Sequence, residues 1–290
     1  MLSTSGLKIR SRCTKGNWQT ETAMKLFYRK YGSGPPLIIL HGLYGSSDNW
    51  ISIAKSISDR FTVFLPDQRN HGNSPHNPVH DYKSMTDDLL ELVNDLKLQK
   101  FFLAGHSMGG KTAVNFALTW PERLYGLLVA DISPLLQEGS NSMTFNQHSE
   151  ILDSILSLDL SGIKSRKEVE SFLKTRIVSE ATRGFIMKDL KRESDNLFSW
   201  KLNARALREN LHRIMEGIEP GNMELRGVTG FPVYFLKGEF SEYLPEKDYV
   251  QIKRIFPAAE FTTIPRSGHW VHSDNPEEVK KSLLKFLDSQ

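Results

Sequence analysis

The sequence predicts an α/β fold: a mostly parallel central sheet with helices on both faces and an inserted helical cap. Two observations predict the sheet and a third predicts the cap. Short apolar runs at 37–40, 61–65, 101–106, 124–132 and 231–236 lack polar alternation, as strands buried on both faces do. Segments of helical spacing separate them, as at 84–97, where Leu89, Leu90, Val93 and Leu96 recur on one face. Strands and helices alternating in this way form parallel sheets covered on both sides. From about 135 to 220 the rhythm stops, and the sequence is charged and amphipathic with no strand-like run. An insertion there lies over the carboxyl ends of the strands, where ligands bind in such sheets.

Residues 24–31 alternate loosely and stop at Gly32-Ser33-Gly34-Pro35-Pro36, an edge strand followed by a turn. The run 37–40 leads into His41-Gly42-Leu43-Tyr44-Gly45, and Ser46-Ser47-Asp48 opens a helix over 49–58. Strand 61–65 ends in a polar loop holding Asp67, Arg69, Asn70 and His71. After the helix over 84–97 come strand 101–106, the turn Gly105-His106-Ser107-Met108-Gly109, and a helix over 111–120 closed by Trp120-Pro121. Strand 124–132 ends in Asp131-Ile132-Ser133-Pro134. Past the insertion follow strand 231–236, a helix over 247–255, strand 260–264, the loop Pro265 to Trp270 and a last helix over 276–287. The core is therefore expected at 24–134 and 221–290, the cap at 135–220, and an N-terminal extension at 1–23.

At 290 residues the chain has room for one large domain with an insertion. No apolar run approaches the roughly 18–20 residues that span a bilayer. The single cysteine, Cys13, excludes an intrachain disulfide and fits a reducing compartment, so a cytoplasmic location is expected. A net charge of +3 is too mild to imply a nucleic-acid partner. No metal-ligand spacing, phosphate-binding loop or dinucleotide fingerprint is present, so neither metal nor cofactor is expected. The first 23 residues carry Lys8, Arg10, Arg12 and Lys15 with no acid before Glu21, then reach Met24. They read as an upstream extension, with a mitochondrial transit peptide as the alternative.

Gly105, Ser107 and Gly109 form G-x-S-x-G between a strand and a helix, the setting of a nucleophile elbow. So short a pattern is weak by itself, and its neighbours strengthen it. A serine hydroxyl needs a base to take its proton and a third group to hold that base's tautomer. His269, in the loop after the last strand, is the expected base, with His272 a weaker candidate. An oxyanion hole needs two backbone N–H groups: Met108 supplies one, and Leu43, in the loop after the early strand, supplies the other. His41, Gly42, His106 and Trp270 are expected to border the substrate, and His106 also has a structural role inside the elbow. The acid has three candidates: Asp131 at a strand end beside the elbow, Glu239 and Glu242. The usual acid position in the loop after strand 231–236 is occupied by Ser241. Asp67 and Arg69 are expected to tie strand ends together.

These motifs occur in the order His-Gly-Leu-Tyr-Gly, Asp-Gln-Arg-Asn-His-Gly-Asn-Ser, Gly-His-Ser-Met-Gly-Gly-Lys, Asp-Ile-Ser-Pro and Gly-His-Trp-Val-His. In this the chain resembles the α/β-hydrolase serine esterases of the YbfF/ABHD11-like group over roughly residues 24–290. The resemblance implies the α/β-hydrolase fold, favours Asp131 as the triad acid, and implies hydrolysis of short-to-medium carboxylic esters, with acyl-CoA thioesters as further substrates. An acyltransferase would use the same residues, and a slow-turnover ligand receptor on this fold is the other alternative. Dehalogenases and epoxide hydrolases of this fold place Asp at the nucleophile, which Ser107 argues against. Between Lys164 and Arg213 there are 13 Lys or Arg against 7 Asp or Glu, a surface that is either simply solvated or attracts an anionic substrate portion.

Overall fold

The computed structural model describes residues 23–135, 141–194, 197–218 and 227–289. Most of the expected extension at 1–23 lies outside them, as do parts of the expected cap. Seven strands form the central sheet: β1 (Tyr28–Tyr31), β2 (Pro36–Leu40), β3 (Thr62–Pro66), β4 (Phe101–His106), β5 (Leu124–Ala130), β8 (Val233–Gly238) and β9 (Ala259–Ile264). Their order is β1-β3-β2-β4-β5-β8-β9. Only β1 runs antiparallel, at the edge against β3; every other pairing is parallel.

Alternation along each strand sends side chains to two cores. Ile38, Leu40, Phe101 and Leu103 point to one face, beneath α2 (Tyr82–Asp95) and α3 (Met108–Thr119). Leu37, Ile39, Phe102 and Ala104 point to the other, against α1 (Ile51–Ser56) and the final α11 (Pro276–Leu287). Both faces are thus covered, and the strands can be apolar throughout. The last helix starts where the chain chemistry directs it: Asn275 accepts the Glu278 N–H and Pro276 occupies the first turn.

Between β5 and β8 the chain forms α4 (Asn141–Leu156), α5 (Arg166–Lys174), α6 (Glu180–Ile186), α7 (Ala204–Glu209) and α8 (Leu211–Met215). Their apolar side chains, among them Leu152, Leu173, Ile186, Leu207 and Ile214, join the core on the α2/α3 face. The expectation of no strand in this stretch needs correction. β6 (Leu190–Arg192) and β7 (Phe198–Trp200) pair antiparallel. Each has only three residues, too few for an alternation to stand out among Lys191, Arg192 and Glu193. The remaining helices are α9 (Tyr249–Ile255) and the single turn α10 (Val271–Asp274).

A buried ion pair fastens the loop after β3 to α2. The Arg69 guanidinium donates to both Asp88 oxygens, at 2.6 and 2.8 Å, with both side chains essentially inaccessible. The Met24 N–H donates to the same carboxylate at 2.7 Å, so the edge segment hangs from it too. Asp67 is equally buried and accepts the N–H groups of Ser47 (2.6 Å) and Asn73 (2.8 Å). Removing one partner of such a pair leaves an uncompensated charge in the interior, which costs about 3–5 kcal/mol. Asp88→Ala is therefore expected to lower the urea midpoint by that amount of stability with an unchanged slope; a midpoint like that of the unaltered protein would show that the pair is not a structural anchor.

Candidate active site

β4 runs straight into α3, and the residue between them takes a backbone that few side chains tolerate: Ser107 has φ 52° and ψ −121°. The turn closes this tightly because its flanks lack side chains. A Cβ on Gly105 would stand 2.2 Å from the carbonyl oxygen of Gly109. On the other side the loop after β2 presses against the turn, and a Cβ on Gly42 would meet His106 Nδ1 at 2.8 Å. Ser107 is thereby raised above the sheet with its hydroxyl directed away from the backbone.

Two other strand-end loops meet it there. His269, in the loop after β9, sits with Nε2 3.0 Å from Ser107 Oγ. Its Nδ1 lies 2.7 Å from Oδ2 of Asp131, which follows β5. Asp131 also has a positive φ, 51°, and its carboxylate is fully buried. Its oxygens find other donors too: Gly238 N–H donates to Oδ1 at 2.7 Å and Ser241 Oγ donates to Oδ2. A carboxylate that accepts all of these is the acceptor for an Nδ1–H, which leaves Nε2 free to face the serine. Glu239 and Glu242 are exposed. Glu239 accepts the Arg266 N–H instead, 2.7 Å away.

The imidazole is held on its faces as well. Tyr243 stacks on His269 with centroids 3.8 Å apart, and burial next to the Asp131 charge pushes its phenol up to about 12, so it stays neutral. His106 packs on another side at 4.8 Å, and its Nε2–H donates to the His269 carbonyl at 2.8 Å. His41 is buried behind the cleft. It donates Nδ1–H to the Gly42 carbonyl at 2.8 Å and accepts the Gln68 N–H at Nε2, 2.9 Å away. His41 and Gly42 thus shape the loop and do not line the cleft, whereas His106 and Trp270 do line it.

The cleft holds about 890 Å³ of space between the sheet and the inserted helices, part of it open to solvent. Leu43, Met108 and Ile132 surround Ser107, and Ile151 and Ile214 roof it. Met108 opens α3, so its N–H has no partner within the helix. Beside Leu43, Tyr44 reaches up to α4, where its hydroxyl meets His148 Nδ1 at 3.1 Å. Ser241, Tyr243, Tyr44 and His148 were not foreseen as parts of this site. Ser241 alone carried a signal: a hydroxyl at the position where an acid is usual can donate to a carboxylate that has moved to the neighbouring strand.

A sequence profile of the alpha/beta hydrolase fold matches residues 35–159. The sn-1-specific diacylglycerol lipase ABHD11 of Danio rerio is 34% identical over 289 residues, covering 98% of this chain and 89% of the relative. The chain belongs to the ABHD11-like α/β-hydrolases. A solved marine microorganism esterase is 42% identical with a TM-score of 0.84, covering 91% of this α/β-hydrolase and all of that chain. A probable alcohol acetyltransferase of Saccharomyces cerevisiae is 29% identical over 88% of this chain and 77% of its own length. Its relatives named as lipases and esterases make this α/β-hydrolase an ester hydrolase. No helix among the described residues is long and apolar enough to cross a membrane.

Three buried histidines near the site, His80, His148 and His272, titrate below the ordinary range because burial disfavours their charged form. His80 and His272 are pushed down to about 3 and His148 to about 4, with positive neighbours adding to the effect. The unfolded chain protonates these groups near 6.5 and the folded chain does not. Stability is therefore full above pH 6.5 and falls as the pH drops towards those values, by about 1.4 kcal/mol per pH unit for each histidine. His272, stacked on Trp50 at 4.7 Å, has a buried Nδ1 with no hydrogen-bond partner. His272→Phe is expected to flatten the stability-versus-pH line between pH 6 and 4 by one such increment; an unchanged slope in chemical denaturation would contradict the neutral assignment.

Proposed function

We propose that this α/β-hydrolase is a serine carboxylesterase that works through an acyl-enzyme. The observation that carries the reading is the continuous hydrogen-bond chain from Ser107 Oγ through His269 to Asp131, at 3.0 and 2.7 Å, opening on an apolar cleft. Ser107 attacks the acyl carbon while His269 Nε2 takes its proton. Asp131 keeps the other proton on Nδ1 and stabilises the imidazolium that forms. The N–H groups of Leu43 and Met108 receive the developing oxyanion, a contribution of about 3–4 kcal/mol for such a donor. His269 then protonates the leaving alkoxide and activates the water that releases the acid.

The mainly apolar lining supports short-to-medium acyl chains as substrates. Acyl-CoA thioesters stay within the same proposal, yet the basic balance of the inserted segment gives them limited support. Arg208 pairs with Asp153, Arg213 with Asp81 and Lys201 with Asp48, and Arg183 is buried against the carbonyls of Ile177 and Val178. A fall of kcat/KM with added salt for acyl-CoA, and none for a neutral ester, is the result that would keep them. The Saccharomyces cerevisiae relative favours a second reading, transfer of the acyl group to an alcohol instead of water. New ester accumulating faster than free acid when an alcohol is supplied would favour it.

Ser107→Ala is expected to abolish turnover of p-nitrophenyl esters while the thermal midpoint stays in place. Asp131→Asn is expected to lower kcat roughly 10⁴-fold, since its amide no longer holds the required tautomer. Activity surviving in Ser107→Ala would remove the proposed mechanism. Unimpaired Asp131→Asn would return Glu239 and Glu242 to consideration.

A further inference from the structure

The inner end of the cleft holds a charged group that the proposed reaction does not use. Lys111 lies one turn after Ser107 on α3, its backbone N–H bonded to the Ser107 carbonyl at 3.0 Å. The residue is 6% exposed and forms the cleft wall with Tyr82, Ile214 and Met215. Its ammonium donates to the carbonyls of Glu216 (2.6 Å) and Met215 (3.4 Å). These stand at the C-terminal end of α8, where helix carbonyls lack partners and the dipole favours a cation. The Tyr82 ring centre is 5.6 Å from Nζ.

All of these partners are uncharged. An ammonium has three N–H donors, and carbonyl oxygens take two of them. No carboxylate lies within ion-pair distance of Nζ among the described residues. Burial lowers the Lys111 pKa to about 8, the Glu216 charge opposing it, so the group still carries its proton at neutral pH. A buried cation with no ion-pair partner among the described residues is an unusual thing to keep in an apolar wall. Its desolvation is already met in the folded protein. A carboxylate arriving in the cleft would lose only its own hydration and would gain a charge-assisted hydrogen bond.

We propose that Lys111 receives the free carboxylate of a half-ester, so that the enzyme favours monoesters or thioesters of short dicarboxylic acids over unsubstituted acyl esters of the same length. The inference rests on the Ser107 acyl-enzyme reading. Lys111 stands four positions on from Ser107, about 6 Å along the helix axis, and both residues line the same cleft. Tyr82, whose hydroxyl is bound to the Ile214 carbonyl at 2.6 Å, belongs to the same wall.

The test compares ethanol release from monoethyl glutarate and ethyl pentanoate. At pH 7 kcat/KM is expected to favour the glutarate monoester by roughly 10-fold or more, the span of a hydrogen bond to a charged group. Lys111→Met is expected to remove that preference whatever happens to the two absolute rates. A merely structural Lys111, tying α8 to α3, would lower both rates and leave their ratio alone. In the unaltered enzyme the ratio is expected to fall between pH 7 and 9 as Lys111 loses its proton, a readout that survives if Lys111→Met does not fold. A ratio of one or less, or the same ratio in Lys111→Met, overturns the proposal. Calorimetric binding of both compounds to Ser107→Ala separates the two layers of the argument. Tighter binding of monoethyl glutarate without turnover by the unaltered enzyme keeps the Lys111 site and sinks the Ser107 acyl-enzyme reading for this ester, whereas equal binding sinks the Lys111 site.

Discussion

A carboxylate without water must be given donors, and Asp131 draws three parts of the chain together to obtain them. Its oxygens accept from the Gly238 backbone, the Ser241 hydroxyl and the His269 ring. The first two come from the end of β8 and its following loop, the third from the loop after β9. The position of His269 is therefore set by the hydrogen-bonding needs of a buried charge as much as by its own loop. Take away the charge, and the imidazole loses its tautomer and the β8 loop loses an anchor.

The sheet makes this meeting possible. Parallel strands all end on the same edge, so β2, β4, β5, β8 and β9 deliver Gly42, Ser107, Asp131, Ser241 and His269 to one region although up to 162 residues separate the members of a hydrogen-bonded pair. Two of these residues, Ser107 and Asp131, sit at positive φ at the points where their strands end. Strain of about 1–3 kcal/mol at each such residue persists because the surrounding ladder over-determines it. Rigidity in the sheet and strain at its edge are two sides of one arrangement.

Much of this was legible in the sequence, for physical reasons that differ from part to part. Strand 101–106 was readable because a continuous apolar run can only be buried on both faces, and helix 276–287 because the chain turns to helical spacing after the last strand. The placement of Ser107 and His269 side by side was readable because glycines must flank a turn that tight and because the loop after the last strand ends on the same edge of the sheet. The acid was harder. Asp131 and Glu239 each follow a strand, and it is the coordinates that separate them: the first is buried against His269, the second is exposed and bonded to the Arg266 N–H. The hairpin β6–β7 escaped because three-residue strands carry no usable period. Tyr44 and His148, 104 residues apart, could not be paired without coordinates because nothing local couples a loop after β2 to a helix in the insertion.

That pair links the roof of the cleft to its floor. Tyr44 follows Leu43 directly, and its backbone is itself held at φ 62°. A displacement of α4 pulls on the Tyr44 side chain and, through one peptide unit, on the neighbouring backbone amide. Roof position and amide position are then not independent degrees of freedom. A molecule that seats the roof also narrows the orientations open to that amide, so part of the work of filling the cleft is stored as order in the loop beside Ser107.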